Sequence, residues 1–169
     1  MRIRPAEPGD EAAIRAVLLA AFPTSAEAEL VERLAQDGDA IVSLVADGGG
    51  RVAGHMMMSR MRAEGDGRPL RALGLGPLAV LPGYQGGGIG AALIEGGLAI
   101  ARATGEDLVF VLGEPEYYTR FGFSADAATP FASPYAGPYF MALALKAGAA
   151  APANGSAAYA LAFSELPKD

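Results

Sequence analysis

The sequence predicts a single α/β domain over residues 1–169, with a mixed, mostly antiparallel sheet flanked by helices. Three observations support this fold class. Apolar runs at residues 40–46, 51–61 and 73–81 are separated by turn sequences, as expected for consecutive antiparallel strands. Residues 73–112 then follow the order strand, glycine loop, helix and strand, which favours a parallel strand pair. The chain length suits one domain with its own hydrophobic core.

The N-terminal part of the chain predicts a short strand and two amphipathic helices. Asp10 is suited to cap the first helix, whose apolar residues recur every three or four positions and stop before Pro23. Thr24 and Glu27 have the spacing of a capping box for the second helix. Gly38 is expected to end that helix, because glycine readily adopts the left-handed conformation.

The middle of the chain predicts a strand meander and a longer helix. Turns at residues 47–50 and 66–69 connect the three strands. A helix is expected from Ile89 to about Thr104, and residues 107–112 form a compact apolar strand.

The C-terminal part predicts a loop and two closing strands. Proline, serine and glycine at residues 131–138 indicate a loop. Residues 139–146 and 157–163 have the pattern of a strand pair that closes the sheet. Small and polar residues at 147–155 indicate a mobile surface loop between them.

Composition argues against several function classes. The chain has no cysteine, which removes disulfides, thiolate nucleophiles and cysteine metal sites. Its net charge of −6 opposes a nucleic-acid partner. No apolar run approaches the roughly 18 residues that a membrane helix needs, and no signal-peptide pattern opens the chain. We therefore expect a soluble, cytoplasmic protein without nucleic-acid or membrane partners.

The segment Gln-Gly-Gly-Gly-Ile-Gly at residues 85–90 predicts an anion site. Residues without side chains let backbone N–H groups converge, and the following helix adds unpaired donors and the positive end of its dipole. A Walker phosphate loop would need Lys-Ser or Lys-Thr after its last glycine. The chain has Ala91 and Ala92 there, which excludes that class of ATPase.

A dinucleotide site is the alternative that this loop leaves open. Gly86, Gly88 and Ala91 satisfy the spacing of the nicotinamide fingerprint, and Glu114 follows the next strand. Residues 82–85 separate the strand from the first glycine, and the chain is short for such an enzyme. An NAD(P)-binding oxidoreductase is therefore the rival hypothesis.

The glycine segment resembles the Gln/Arg-x-x-Gly-x-Gly/Ala loop of the GNAT N-acetyltransferase superfamily, which binds the pyrophosphate of acetyl-CoA. Residues 77–80 resemble that family's central strand. Tyr118-x-x-x-Gly122-Phe123 resembles its second signature, and the surrounding sequence is similar to a bacterial subgroup of predicted acetyltransferases. The chain departs from the pattern at Val111, where the wider family often carries an asparagine that contacts the pantetheine arm.

The resemblance implies an acetyl-CoA-dependent N-acetyltransferase that needs no metal. An amine of a small molecule or protein would attack the thioester directly in a ternary complex. The strands at residues 73–81 and 107–112 would diverge around CoA, and the first two helices would border the acceptor site. A non-catalytic acyl-CoA-binding sensor is a further alternative. The acceptor and the oligomeric state, monomer or homodimer, stay open.

The resemblance also assigns roles within the site. The strand backbone would polarise the thioester carbonyl, the glycine loop would hold the pyrophosphate, and Tyr118 would protonate the CoA thiolate. The alternative for Tyr118 is an aromatic anchor that packs its helix. The residues assigned to cofactor binding are Leu78, Ala79, Val80, Gln85, Gly86, Gly87, Gly88, Ile89, Gly90 and Ala91.

The general base is left open among three side chains and water. His55 is the single histidine, but it lies within a strand, where a buried structural role is the alternative. Glu114 and Glu116 flank Pro115, and carboxylates there also suit the N-terminus of a helix.

Overall fold

The computed structural model describes residues 1–149 and 151–166. Its helices are α1 (Glu11–Ala21), α2 (Ala26–Gln36), α3 (Ile89–Ala103), α4 (Pro115–Tyr118) and α5 (Ala125–Ala128). Its strands are β1 (Arg2–Pro5), β2 (Ala40–Gly48), β3 (Arg51–Gly65), β4 (Arg68–Val80), β5 (Leu108–Leu112), β6 (Phe131–Ala132), β7 (Phe140–Ala144) and β8 (Gly155–Ala158). The helices and strands through β5 lie close to where the sequence predicts them. β3 is four residues longer than predicted, and β4 begins at Arg68, five residues before its predicted start and within the predicted turn at residues 66–69.

The strands form the predicted mixed, mostly antiparallel sheet. Their hydrogen-bonded order is β1-β2-β3-β4-β5-β7, and β8 pairs antiparallel with β3 and parallel with β6. β4 and β5 are parallel, with a register that runs from Ala72 opposite Leu108 to Leu75 opposite Val111. β5 and β7 are antiparallel. The predicted fold class and the predicted parallel pair are therefore confirmed.

The described residues divide into two compact units. The first unit contains Met1–Ser59, Gly76–Ala99 and residues 161–166. The second unit contains Arg60–Leu75 and the described part of residues 100–160. Whether the whole chain behaves as one domain stays a prediction.

The first unit buries the apolar faces of α1 and α2 together with β2 and β3. Val17, Leu18 and Leu34 are at most 1% exposed, as their helical spacing predicts. α3 packs closely at Gly97, where a Cβ atom would lie 2.8 Å from Cε of Met58. The small residue thus lets the helix approach the methionines of β3.

The second unit has an aromatic core around β5. The ring of Phe110 meets Phe131 edge-on at 5.1 Å and stacks on Phe140 at 5.3 Å between ring centroids. All three side chains are at most 1% exposed. Aromatic pairs in these geometries add to the stabilisation that burial itself provides.

A buried carboxylate fixes the start of β5. Glu106 is 1% exposed and accepts hydrogen bonds from Arg60 at 2.6 and 3.0 Å. Arg71 donates to the same carboxylate at 2.7 Å. Arg60 also donates to the Ala72 carbonyl at 3.3 Å, which ties the cluster to β4. The charge of Glu106 is thus buried with partners for both oxygens.

Asp10 occupies the N-cap position of α1 as predicted, but neither of the two predicted side-chain caps forms. Asp10 precedes α1, but its carboxylate accepts hydrogen bonds from Arg4 at 2.7 and 3.0 Å and makes no side-chain cap. The Arg4 guanidinium is a stronger partner than a peptide N–H, and it lowers the pKa of Asp10 to about 2. α2 begins after Ser25 without a side-chain cap, so the Thr24–Glu27 capping box does not form.

The predicted closing strand pair is also wrong. β7 forms as predicted but pairs with β5, whereas β8 pairs with β3 and β6. Leu161–Glu165 is a 3₁₀ helix instead of a strand. The predicted loop at residues 131–138 contains β6, and within the predicted loop at 147–155 Ala150 lies outside the described residues. Local alternation cannot specify strand partners that are distant in sequence.

Candidate active site

The predicted glycine loop lies at the entry to α3. A short 3₁₀ turn, Pro82–Tyr84, precedes it, and Gln85 is extended. Gly86 and Gly88 have φ angles of 82° and 84°. Residues with a Cβ atom rarely adopt this region, so the backbone path itself requires these two glycines.

Backbone groups form the exposed surface of this loop. Residues 82–88 are exposed, and Gly86, Gly87 and Gly88 have no side chains to cover their N–H groups. The Ala92 N–H donates to the Gly88 carbonyl at 3.0 Å, so the N–H groups before Ala92 have no acceptor within the helix. Free N–H donors and the positive end of the helix dipole suit a phosphate group. The first turn of α3 contains the predicted residues Ile89, Gly90 and Ala91.

The side chain of Gln85 closes the loop onto the preceding strand. Its Nε2 donates to the Val80 carbonyl at 3.2 Å. The Leu81 N–H donates to the Ala53 carbonyl at 2.8 Å, which fixes the end of β4 against β3. Gln85 therefore positions the loop through a bond within the protein.

Gly54 is a residue of this region that the sequence analysis missed. A Cβ atom at Gly54 would lie 3.0 Å from Cγ2 of Ile89, 3.2 Å from the Ala79 carbonyl oxygen and 3.2 Å from Cδ1 of Leu93. A side chain there would push the start of α3 away from the sheet. A glycine within a strand pattern often signals such a close approach, and this was the available signal.

The strand residues assigned to the thioester lie beyond the β4–β5 ladder. That ladder ends at Leu75 and Val111. Leu78 and Val80 are half-buried, whereas Ala79 is 2% exposed and faces the interior. This alternation is typical of a strand with one covered face.

Tyr118 is the last residue of α4 and belongs to the second unit. Its half-buried ring meets Tyr117 at 5.0 Å and Phe123 at 6.1 Å between centroids, both edge-on. Gly113 leaves room for this ring, because a Cβ atom there would overlap Cε2 of Tyr118. Burial raises the pKa of Tyr118 to about 12, so the hydroxyl stays protonated at neutral pH.

His55 is completely buried in β3. Its Nε2 lies 2.9 Å from Oγ of Ser43 on β2. Burial lowers the pKa of His55 to about 4, which keeps the ring neutral at physiological pH. A side chain without solvent access cannot pass a proton to water, so the geometry favours the structural role.

The two glutamates lie at the start of α4. Glu114 is exposed, and its carbonyl accepts from the N–H groups of Tyr117 and Tyr118, both at 3.1 Å. Glu116 is exposed in the first turn of the helix. Both carboxylates are open to solvent, and both also suit a helix N-terminus.

A cleft of about 280 Å³ lies within the first unit, beside the two N-terminal helices. Residues of α1, α2 and β2 line it, among them Glu11, Arg15, Glu32 and Ser43, together with Glu7 from the segment between β1 and α1. Arg15 is already paired with Glu32. The remaining carboxylates make this cleft suitable for a cationic group.

All ten predicted cofactor residues lie in the first unit. Leu78, Ala79, Val80 and the loop at residues 85–91 belong to the first unit, and Gln85 bonds directly to Val80.

In residues 1–149 and 151–166, no group of three or more acidic or histidine side chains is placed to hold a metal ion. The helices of the described chain are too short or too polar to traverse a bilayer.

Comparison with known proteins decides the family. The family described as "Acetyltransferase (GNAT) domain" matches residues 2–125, which include both predicted signatures. The chain belongs to the GNAT acetyltransferase family. The GNAT resemblance and the enzyme class predicted from the sequence are therefore confirmed.

Two similar proteins of Escherichia coli are named N-acetyltransferases. The chain is 41% identical over 130 residues to "Uncharacterized N-acetyltransferase YjhQ" of Escherichia coli K12, covering 75% of this chain and 71% of the relative. It is 38% identical over 128 residues to "Uncharacterized N-acetyltransferase YhbS" of the same organism, covering 75% of each chain.

Two solved GNAT structures are similar to the whole fold. The E. coli YhbS structure, determined in complex with CoA, has a TM-score of 0.88 at 32% identity and covers 98% of this chain and 93% of its own. A GNAT acetyltransferase from Brucella melitensis, determined in complex with acetyl-CoA, has a TM-score of 0.79 at 36% identity, with 96% and 97% covered. Both similarities support the mixed GNAT sheet described above.

Proposed function

We propose that this chain transfers the acetyl group of acetyl-CoA to an amine, by direct attack in a ternary complex. The observation that carries the proposal is the glycine-rich loop at residues 85–91. Gly86 and Gly88 of this loop have φ angles in the left-handed region, and α3 begins at Ile89. Two GNAT relatives similar over nearly the whole chain are known in complex with CoA or acetyl-CoA. Both facts support acetyl-CoA as the donor.

The loop would hold the donor through its pyrophosphate. N–H groups from Gly86 through Ala91 offer donors, the four glycines among these residues have no side chains to cover them, and the helix dipole adds a favourable field. The backbone of Leu78–Val80 would position the thioester, with an N–H donating to the carbonyl oxygen as negative charge develops there. The bond from Gln85 to Val80 would keep these two parts in register.

The reaction forms one C–N bond, breaks one C–S bond and releases one proton from nitrogen. The neutral amine nitrogen attacks the acetyl carbon, the tetrahedral intermediate expels the CoA thiolate, and the acetylated nitrogen loses its proton to a base. We assign that base to water, because His55 is buried and neutral and the carboxylates of Glu114 and Glu116 are open to solvent. No metal or cysteine takes part in these steps.

Tyr118 would stabilise the departing thiolate. A phenol with a pKa of about 12 is a much weaker acid than a thiol with an ordinary pKa of about 8.5. Complete proton transfer to sulfur is therefore uphill, and the main contribution is a hydrogen bond from the hydroxyl to the developing negative charge. The final proton would reach the thiolate from solvent.

The cleft beside α1 and α2 would take the acceptor. Its lining includes Glu7 and Glu11, which can attract an ammonium group before it loses a proton. The resemblance to the GNAT pattern implies that these two helices border the acceptor site. We therefore propose a cationic amine as the substrate class, either a small molecule or a protein amine.

Titration calorimetry tests the donor assignment. The purified chain should bind acetyl-CoA and CoA and should not bind NADH. A thiol-release assay with a panel of polyamines, aminoglycosides and lysine peptides then tests turnover. Binding of NADH without acetyl-CoA would support the oxidoreductase alternative, whereas acetyl-CoA binding without thiol release would support the sensor.

A further inference from the structure

Arg51 and Tyr84 form an exposed pair beside the glycine loop. Arg51 is the first residue of β3, and its Cζ lies 5.9 Å from the centroid of the Tyr84 ring. Tyr84 is 37% exposed and immediately precedes Gln85. The two residues are far apart in sequence, so only the fold brings this cation to the loop.

The charge of Arg51 is not neutralised by a carboxylate. Arg4, Arg15 and Arg33 each form ion pairs in the first unit, whereas Arg51 forms none with the described residues. An aromatic ring orients a guanidinium without cancelling its charge, so the donors stay available to an anion. In a chain of net charge −6, such a cation is the type of group that a polyanion needs locally.

Both partners are held in place by backbone contacts. The Gly50 N–H donates to Oδ1 of Asp47 at 2.8 Å, which fixes the turn just before Arg51. The Tyr84 N–H donates to the Leu81 carbonyl at 2.8 Å. A Cβ atom at Gly87 would lie 3.8 Å from the Tyr84 carbonyl oxygen, so the backbone of Tyr84 lies close to the loop. A guanidinium held in this way loses little freedom on binding a ligand.

We propose that Arg51, held by Tyr84, binds the 3′-phosphate of CoA while the glycine loop holds the pyrophosphate. This assignment rests on the proposed function. CoA carries phosphate in two separate places, and one compact set of loop N–H groups can serve only one of them. The planar fork of arginine matches the oxygens of a phosphate monoester, and a double negative charge strengthens those hydrogen bonds.

Calorimetry with CoA and 3′-dephospho-CoA tests the assignment. Arg51→Ala should raise the Kd for CoA about tenfold or more, the loss expected for hydrogen bonds to a charged group. The same substitution should change the Kd for 3′-dephospho-CoA less than about twofold, because that ligand lacks the phosphate in question. The wild-type chain should accordingly prefer CoA to 3′-dephospho-CoA.

Matched variants separate the contact from general charge effects. Arg51→Lys keeps the charge but loses the planar fork, and should fall between the wild type and Arg51→Ala. Tyr84→Phe keeps the ring under the cation and should bind CoA normally. Tyr84→Ala should weaken the binding of CoA more than the binding of 3′-dephospho-CoA. Arg33→Ala removes one positive charge from α2 and should leave CoA binding unchanged.

Three results would overturn the assignment. If Arg51→Ala lost the same affinity for CoA and for 3′-dephospho-CoA, Arg51 would contact the pyrophosphate or another part of the ligand. An unchanged Kd for CoA in Arg51→Ala, or an equal loss in Arg33→Ala, would remove Arg51 from the site while leaving the proposed function intact. A wild-type chain that binds no CoA would instead refute the proposed function and the phosphate assignment together.

Discussion

The ring of Tyr118 lies directly against Gly113. A Cβ atom at Gly113 would overlap Cε2 of the ring and lie 3.0 Å from its Cδ2. The ring is also bounded by Tyr117 and Phe123, so it has little space to retreat. Gly113 therefore fixes where the Tyr118 hydroxyl can point.

Gly113→Ala should displace this ring. We expect the overpacked site to lose about 1–3 kcal/mol of stability and kcat to fall, because the hydroxyl moves away from the thiolate. Gly148→Ala is the matched control, since a Cβ atom there has no neighbour within 4 Å among the residues that the structure describes. Thermal unfolding and thiol release measure the two effects. Normal stability and kcat in Gly113→Ala would show that the ring is not constrained.

Tyr118→Phe separates the chemical role of Tyr118 from its packing role. The variant keeps the ring and loses only the hydroxyl, so acetyl-CoA binding should persist while kcat falls on the order of 10²-fold, the loss typical of removing one hydrogen-bond donor to a developing negative charge. Tyr118→Ala should lose stability as well. If the phenylalanine variant has normal kcat where chemistry limits turnover, Tyr118 is an aromatic anchor.

The elements that depend on local sequence could be predicted. Helical spacing located Val17 and Leu34 on buried faces, and the order of strand, glycine loop and helix gave both the parallel pair and the loop at residues 85–91. Each of these features is encoded within one segment, where periodicity and glycine content act directly.

The features that depend on distant partners were missed. Aspartate is a residue type that often caps helices, but the carboxylate of Asp10 binds Arg4 once the chain folds. In the sequence nothing distinguishes Glu106 from a surface glutamate, yet it is buried in the fold and its carboxylate accepts hydrogen bonds from two arginines. The pair of Arg51 and Tyr84 depends equally on tertiary structure. A single sequence contains no signal that links such residues.

His55 should make the protein less stable in mild acid. The unfolded chain binds a proton on histidine near pH 6.5, but the folded chain does so only near pH 4, because burial lowers the pKa of His55. Protons therefore favour unfolding, and the free energy of unfolding should fall by up to about 3 kcal/mol as pH decreases from 7 to 4.

His55→Gln should reduce this pH dependence, since glutamine does not titrate and can still meet the hydroxyl of Ser43. Urea unfolding at several pH values measures the difference between wild type and variant. Activity at pH 7.5 should persist in the folded variant. A loss of kcat with normal stability would restore His55 as a base.

Glu106→Gln should weaken the second unit. Its carboxylate is buried and bonded to both Arg60 and Arg71, so removal of the charge should reduce stability on the order of 2 kcal/mol. Arg71→Gln is the control and should lose less than about 1 kcal/mol, because the Arg71 side chain is 57% exposed. Chemical unfolding compares them. Equal losses of stability in Glu106→Gln and Arg71→Gln would mean that the buried carboxylate of Glu106 stabilises the fold no more than a surface ion pair does.

Transfer of labelled acetyl from acetyl-CoA to an amine tests the central claim most directly. Mass spectrometry should detect the labelled amide with the wild-type chain and an amine panel. Gly88→Asp should abolish transfer and acetyl-CoA binding, because its carboxylate repels the pyrophosphate. Gly88→Asn has similar size and the same strain at a φ of 84°, so it should retain far more activity. The claim would be contradicted if a folded wild-type chain that binds acetyl-CoA produced no labelled amide. Equal transfer by the Gly88→Asp and Gly88→Asn variants would also contradict it.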